Sequence, residues 1–210
     1  MKPDYNSVIF RAIFAGVFIS IAAWGYLTNP VIGMFLFSVG LIGVIKYKLG
    51  LFTGTAGFID NGWDALVVLL ILIFNFFGCM LFAGLTHASP MYTELQSTAM
   101  MIIQSRIENG WLKSGLLAIG CGILMSFAVV NARFAEKQVN ESFSNWLPLL
   151  FAVPAFILCG FPHCIADAFY FWTAYLDIPI INIPWEAWRY YLSIVVGNLI
   201  GCNMYRCFIW

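Results

Sequence analysis

Gly160-Phe161-Pro162-His163-Cys164-Ile165-Ala166-Asp167 lies inside an apolar run that extends from Trp146 to about Trp172. Glycine and proline interrupt the run, and a histidine and a carboxylate occupy its centre. A lipid-facing helix would carry neither, because an ionisable side chain at membrane depth is costly and marks a functional site by default. Broken backbone at that depth is tolerated only in a protein interior or beside a cavity. The stretch therefore reads as the middle of a pore.

Composition around it agrees. The chain has 210 residues, 62% hydrophobic and 10% charged, with mean hydropathy +0.88. Apolar runs of about twenty residues recur, which favours a polytopic helical membrane protein over a soluble fold. Net charge is zero. No basic stripe suggests nucleic acid, and no block of like charge suggests a disordered interaction tail. Cys79, Cys121, Cys159, Cys164, Cys202 and Cys207 lie within or at the ends of apolar segments without a CxxC pair. They read as small hydrophobic filler, not as metal ligands or disulfides. The first apolar segment, Val8 to about Leu27, is followed by Thr28-Asn29-Pro30 in place of a small-residue cleavage site. It is too long for a signal-peptide core and is expected to be a retained span.

In chain order the sequence predicts six hydrophobic spans. Span 1 covers about 8–27 and is rich in small residues that allow close helix packing. Span 2 opens near Val31 and is apolar through Val44, then meets Lys46, Lys48 and Gly50-Leu51-Phe52-Thr53-Gly54 before a short segment to Ile59. Lysines and glycines inside such a segment predict a helix broken by a loop. Span 3 covers about 64–85 and contains Asn75-Phe76-Phe77-Gly78. The mixed segment from His87 to Gly110, with Pro90, Glu94, Arg106 and Glu108, is expected to contain a surface helix. Span 4 covers about 111–132, and Arg133, Glu136, Lys137 and Glu141 form a hydrophilic loop after it. Span 5 is the opening run, and span 6 covers about 188–208 with Gly197-Asn198-Leu199-Ile200-Gly201.

A broken span, 2 and then 5, is followed each time by a span carrying Asn-x-x-Gly: Asn75 and Gly78, then Asn198 and Gly201. Taken alone, Asn-x-x-Gly is ordinary helix packing; its recurrence in register with the breaks is the signal. Three spans per half put the halves in opposite orientations, and paired broken segments point to a transport site near the midplane. One transmembrane domain over 1–210 is expected, with repeats at about 8–86 and 111–208. Lys2, Arg11, Arg133, Lys137 and Arg206 fall on one side, against Arg106, Lys113 and Arg189 on the other. That split favours both termini in the cytoplasm.

Phe37-x-x-x-Leu41, Gly50-Leu51-Phe52-Thr53, Gly122-Ile123-Leu124, Gly160-Phe161-x-His163-x-x-Ala166 and Gly197-Asn198-x-x-Gly201 together resemble the formate/nitrite transporter family of formate, nitrite and hydrosulfide channels. The resemblance runs from about residue 8 to 208. It implies an all-α, aquaporin-like fold of two inverted three-helix repeats, assembled as a homopentamer with one pore per protomer, and it implies no cofactor, metal or covalent chemistry. Residue by residue, His163 resembles the central pore histidine and Thr53 its hydrogen-bond partner. Leu41 with Phe37 and Phe52 resembles the cytoplasmic constriction, Phe156 the external one, and Val129 an apolar pore-lining position. Taken singly, each of these apolar residues reads as packing in a chain with 20 phenylalanines.

The chain also departs from the family pattern. Asp167 stands where members usually carry Asn, Pro162 where they carry Glu or another polar group, and Ser126 where Asn is frequent. The expected vestibule lysine would fall near Gly110, with Lys113 as its nearest replacement and Lys48 as the other basic residue beside a mouth. An acid at 167 could stabilise imidazolium or be protonated itself.

The physics of such an arrangement is simple. Burying an unpaired charge costs far more than burying a neutral hydrogen-bonding group. Apolar rings therefore filter ions, while one polar pair holds a weak acid in transit. Histidine suits that place because its ordinary pKa of about 6.5 lies near neutrality. The sequence thus predicts a multi-pass membrane channel, not an enzyme, for small monovalent weak-acid anions: formate, nitrite, hydrosulfide and short carboxylates, moving net as the acid or with a proton. Two other readings stand beside it. One is a pore for neutral solutes or ammonium, although the Asn-Pro-Ala signature of water channels is missing. The other is a redox or structural subunit, for which His87 and His163 make a poorly placed pair of haem ligands.

Overall fold

A computed structural model describes residues 5–137 and 146–209, with side chains omitted at 133–137. Lys2, Arg133, Glu136, Lys137 and Glu141 thus fall outside the described side chains. The described chain is helical: α1 (Tyr5–Thr28), α2 (Pro30–Lys46), α3 (Phe52–Thr55), α4 (Gly62–Thr86), α5 (Tyr92–Glu108), α6 (Trp111–Lys137), α7 (Leu147–Leu158), α8 (Cys164–Tyr175) and α9 (Trp185–Ile209). Among the described residues, α1, α4, Trp111–Ala132 of α6, and α9 are long and apolar enough to cross a membrane. α2 and α7 are shorter apolar helices. Large apolar side chains such as Phe35, Val39, Leu69, Ile73, Leu116 and Val196 face outward. Such a shell suits lipid or a neighbouring protein, not water.

Helix is interrupted between α2 and α3 and between α7 and α8, and the two breaks are built alike. α2 ends with the Lys48 N–H on the Ile45 carbonyl (2.9 Å) and the Leu49 N–H on the Val44 carbonyl (2.8 Å). α7 ends with the Gly160 N–H on Ile157 (3.0 Å) and the Phe161 N–H on Phe156 (2.9 Å). Each is a Schellman ending, which needs a left-handed residue just past the helix. Gly160 takes that place at φ +67°, and Lys48 takes the matching place at φ +51°. The chain then turns extended at Leu51 and at His163, which lead into α3 and α8.

Breaking a helix in an apolar interior frees backbone groups that no water can reach, and each must find a partner. Two asparagines supply them. Asn75 of α4 accepts from the Phe52 N–H (2.9 Å) and donates to the carbonyls of Gly50 (2.7 Å) and Ala12 (2.8 Å). Asn198 of α9 accepts from the Cys164 N–H (2.9 Å) and donates to Pro162 (3.0 Å) and Ala118 (2.8 Å). The amides reach these groups because glycines let the backbones close up. A Cβ at Gly16 would lie inside van der Waals contact with the Asn75 carbonyl, and one at Gly122 inside contact with that of Asn198. α4 thereby seats on α1, and α9 on α6.

Two thiols reach the segments that follow the breaks. The Cys79 thiol points to the Ile165 carbonyl (3.4 Å), and the Cys202 thiol points to the Thr53 carbonyl (3.4 Å). Ser20 lies beside Cys79 and Ser126 beside Cys202.

The segment expected as a surface helix differs. α5 buries Leu95, Ala99 and Ile103 and packs along α8. These residues recur every four positions, so they form one stripe of the helix. At its N-terminal end, the Tyr92 hydroxyl and Gln96 amide donate to Asp177 (2.9 Å each) and hold that exposed carboxyl below its usual range.

Asn198→Ala would strand three buried groups, each worth about 1–3 kcal/mol when unpartnered. We expect detergent-solubilised Asn198→Ala, and likewise Asn75→Ala, to melt far below the parent or to fail to fold. A melting temperature equal to the parent's would refute the role given to these amides. Lys48→Gly is expected to raise the melting temperature, since a Cβ in the left-handed region costs roughly 1–2 kcal/mol, and Gly160→Ala to lower it.

Candidate functional site

The break between α7 and α8 makes His163 the residue that caps α8. Its Nδ1 accepts the Ala166 N–H at 3.1 Å. With that lone pair committed, the proton of a neutral imidazole sits on Nε2, which donates to Thr53 Oγ1 at 3.0 Å. Thr53 belongs to α3, the short helix after the other break. The bond therefore links the two broken segments, and it is dry: His163 is 2% and Thr53 1% exposed. Phe156 stacks on the imidazole with centroids 5.6 Å apart and planes at 21°. Phe37 meets Phe156 edge-on at 6.2 Å.

A small cavity of about 20 Å³ opens beside the histidine. Phe37, Phe156, Ile157 and Phe161 form its apolar wall, and Tyr26, Arg106, His163, Ala166, Asp167 and Tyr170 complete it. Asp167 is fully buried, one turn along α8 from His163, whose carbonyl accepts the Asp167 N–H (2.8 Å). Arg106 reaches in from α5: Nη1 donates to Asp167 Oδ2 at 2.6 Å and to the Tyr190 hydroxyl at 3.2 Å. Asp167 Oδ1 has no partner among the described residues. A buried carboxylate survives only when paired, and removing one member of such a pair costs roughly 3–5 kcal/mol.

The predicted site residues are distributed unevenly around this centre. Thr53 and His163 meet, and Asp167 lies on the same cavity wall as His163. Phe37, expected with Leu41 and Phe52, meets the Phe156 ring beside His163. Phe37 is the residue of α2 whose side chain projects onto the Phe156 ring, one turn before Leu41. Leu41, Phe52, Val129 and Ser126 are buried, but none lines this cavity. Lys48 and Lys113 are exposed, Lys48 as the left-handed residue ending α2 and Lys113 in the first turn of α6. His87 lies exposed at the end of α4, against Tyr92 and 3.5 Å from Asp177.

Arg106 and Tyr190 were missed. Arg106 counts from sequence as a loop charge, yet it continues the stripe of Leu95, Ala99 and Ile103. A carboxylate in an apolar run demands a cation, and that demand was the signal available.

An outward apolar shell, helices of membrane-crossing length and a polar pair buried between two breaks define a helical, multi-pass membrane protein with an internal site. The family profile described as formate/nitrite transporter matches residues 1–209, and the chain belongs to that family. It is 25% identical to the formate channel BtFdhC of Bacillus thuringiensis over 195 residues, covering 85% of this chain and 70% of that protein. To the formate channel FocA of Escherichia coli K12 it is 26% identical over 237 aligned positions, covering 91% and 81%. A solved pentameric formate channel with formate bound has the same fold, with TM-score 0.78 at 22% identity, over 98% of this chain and 95% of that one.

If His163 caps α8, His163→Ala should lose the cap and destabilise the solubilised protein by about 1 kcal/mol, while His163→Asn should recover most of the loss. Paired thermal melts test this, and equal melting of the Ala and Asn variants would contradict it.

Proposed function

We propose that the chain is a channel for small monovalent weak-acid anions, with formate, nitrite, hydrosulfide and short carboxylates as the candidate substrates. They pass net as the acid or as the anion with a proton. The observation that carries the reading is the Thr53–His163 bond, buried between the two breaks and walled by Phe37 and Phe156. An apolar wall of this kind excludes a bare anion through the cost of burying its charge, while the polar pair offers a neutral acid hydrogen bonds. The names of the formate channels among its relatives support the same class of substrate.

The proposed architecture is one channel domain of six spans over 1–210, in two inverted repeats at about 8–86 and 111–208. The matched Schellman endings, the matched asparagine amides and the reciprocal thiol contacts support it. Leu41 with Phe37 and Phe52 would form the cytoplasmic constriction and Phe156 the external one, with Val129 and Ser126 farther along span 4, and exposed Lys48 and Lys113 would concentrate anion at the mouths. A homopentamer in a cell membrane, plasma or bacterial inner, with both termini cytoplasmic, completes the proposal. The pentameric state of the similar formate channel and the basic-residue split support these last points.

Proteoliposome stopped-flow uptake of formate, nitrite, hydrosulfide and lactate across a pH series tests it. At least one should enter much faster than into protein-free liposomes, and Thr53→Val, which removes the acceptor of the His163 proton, should slow it roughly tenfold. Uptake of none above the protein-free rate rejects the channel. Flux insensitive to pH and to anion competition would favour a pore for neutral solutes or ammonium.

A further inference from the structure

The cavity beside His163 is also lined by the Arg106–Asp167 ion pair. The pair is asymmetric in what it leaves unused. A guanidinium carries five N–H donors, and both bonds that Arg106 makes among the described residues leave from Nη1. The carboxylate spends Oδ2 on that bond and has the Tyr190 hydroxyl and the His163 backbone as neighbours, while Oδ1, buried, makes no hydrogen bond of normal geometry among the described residues. Unused donors and an acceptor without a hydrogen bond thus belong to two residues that line one cavity, and their charges cancel. His163 and Tyr170 from α8, Tyr26 from α1 and Tyr190 from α9 are the other polar groups facing the pair.

A weak acid meets this wall differently in its two forms. The anion offers only acceptors; it would gain the guanidinium but face an unpaired carboxylate oxygen, which no acceptor satisfies. The neutral acid offers an O–H and a doubly bonded oxygen, one for each unused group. An oxoacid such as formic or nitrous acid has both. Hydrogen sulfide has no doubly bonded oxygen for the guanidinium.

Resting on the weak-acid channel reading, we propose that Arg106 and Asp167 form a charge-neutral subsite beside His163 that binds the protonated form of a small oxoacid. Arg106 donates an unshared N–H to its doubly bonded oxygen, and Asp167 Oδ1 accepts its O–H. Tyr190 is a positioning residue, holding the guanidinium through Nη1. No covalent bond forms or breaks in this binding, and the acid leaves as it entered. A cavity of about 20 Å³ is of water-like size, which ranks formic and nitrous acids above lactic acid.

The test compares formate and hydrosulfide uptake in proteoliposomes of the parent, Asp167→Asn and the double variant Arg106→Gln/Asp167→Asn. Asp167→Asn leaves the guanidinium uncompensated, so formate anion should be held: half-saturation is expected to fall about tenfold while maximal flux drops, the equivalent of about 1.4 kcal/mol tighter binding. The double variant removes both partners together; its formate-to-hydrosulfide flux ratio should fall about tenfold from the parent's. Arg106→Lys keeps the charge in the same place and should recover part of the ratio lost in the double variant.

Two results would overturn the subsite. One is a formate half-saturation in Asp167→Asn equal to the parent's. The other is a parallel loss of formate and hydrosulfide flux in the double variant, as a purely structural pair would give. Should the double variant fail to fold, the half-saturation of Asp167→Asn decides alone. A parent that passes neither solute is a different result, since it removes the channel reading itself.

Discussion

The structure depends on one constraint: backbone groups that the two helix breaks open at Phe52, Pro162 and Cys164 are buried and need partners inside the protein. Asn75 and Asn198 meet it in the same way, each amide oxygen taking the first free N–H after a break and each amide nitrogen bridging the carbonyl before it to a neighbouring helix. An asparagine is suited to this because its side chain carries an acceptor and two donors at fixed angles. Aspartate would match the N–H and oppose both carbonyls. The breaks are thus anchored elements of the fold, and the close glycine contacts of Gly16 and Gly122 exist so that the amides can reach them.

From those anchored breaks follows the chemistry at the centre. Because α8 starts at the break, its capping residue is carried into the interior, and here that residue is a histidine. Capping uses Nδ1, which leaves Nε2 with the proton and directs it to Thr53. The first break carries Leu51 in the matching place and so has no side-chain cap. The polar pair therefore needs His163 from one break and Thr53 from the other, and neither break holds it alone. Stability and site are coupled in one side chain: a change that frees the imidazole also uncaps the helix.

Much of this was legible in the sequence because it rests on local rules. The breaks announce themselves through Gly160, Pro162 and the lysines and glycines of 46–54, and the Asn-x-x-Gly recurrence points at the residues that hold them. The limits expected for spans 1, 3, 4 and 6 lie within about five residues of α1, α4, α6 and α9, as apolar length predicts. What stayed hidden depends on three-dimensional approach. Lys48 looked like a basic residue at a mouth, and only the Schellman bonds show that it occupies a glycine-like conformation. Phe37 could be placed on α2 but not assigned a facing ring, because α2 and α7 meet through tertiary packing. The helix α5 has a polar composition, and its short buried stripe is easily overlooked beside spans that are apolar throughout.

Arg106 and Asp167 are the sharpest case, since a buried ion pair is seldom the cheapest way to fill space. Apolar residues of similar volume are often as stable or more so, because desolvating two charges offsets most of their attraction. Stability alone therefore gives little reason to bury this pair. The structure adds that Asp167 Oδ1 makes no hydrogen bond of normal geometry among the described residues. An unpartnered buried oxygen costs about 1–3 kcal/mol, a penalty that a well-packed interior would be expected to remove by placing a donor against it. Its position on the His163 cavity, and not in solid packing, is where such a cost can be returned when a solute carrying an O–H arrives. The pair also cancels its own charge. It thus adds polarity to the apolar wall without adding the net positive charge that would hold an anion in place.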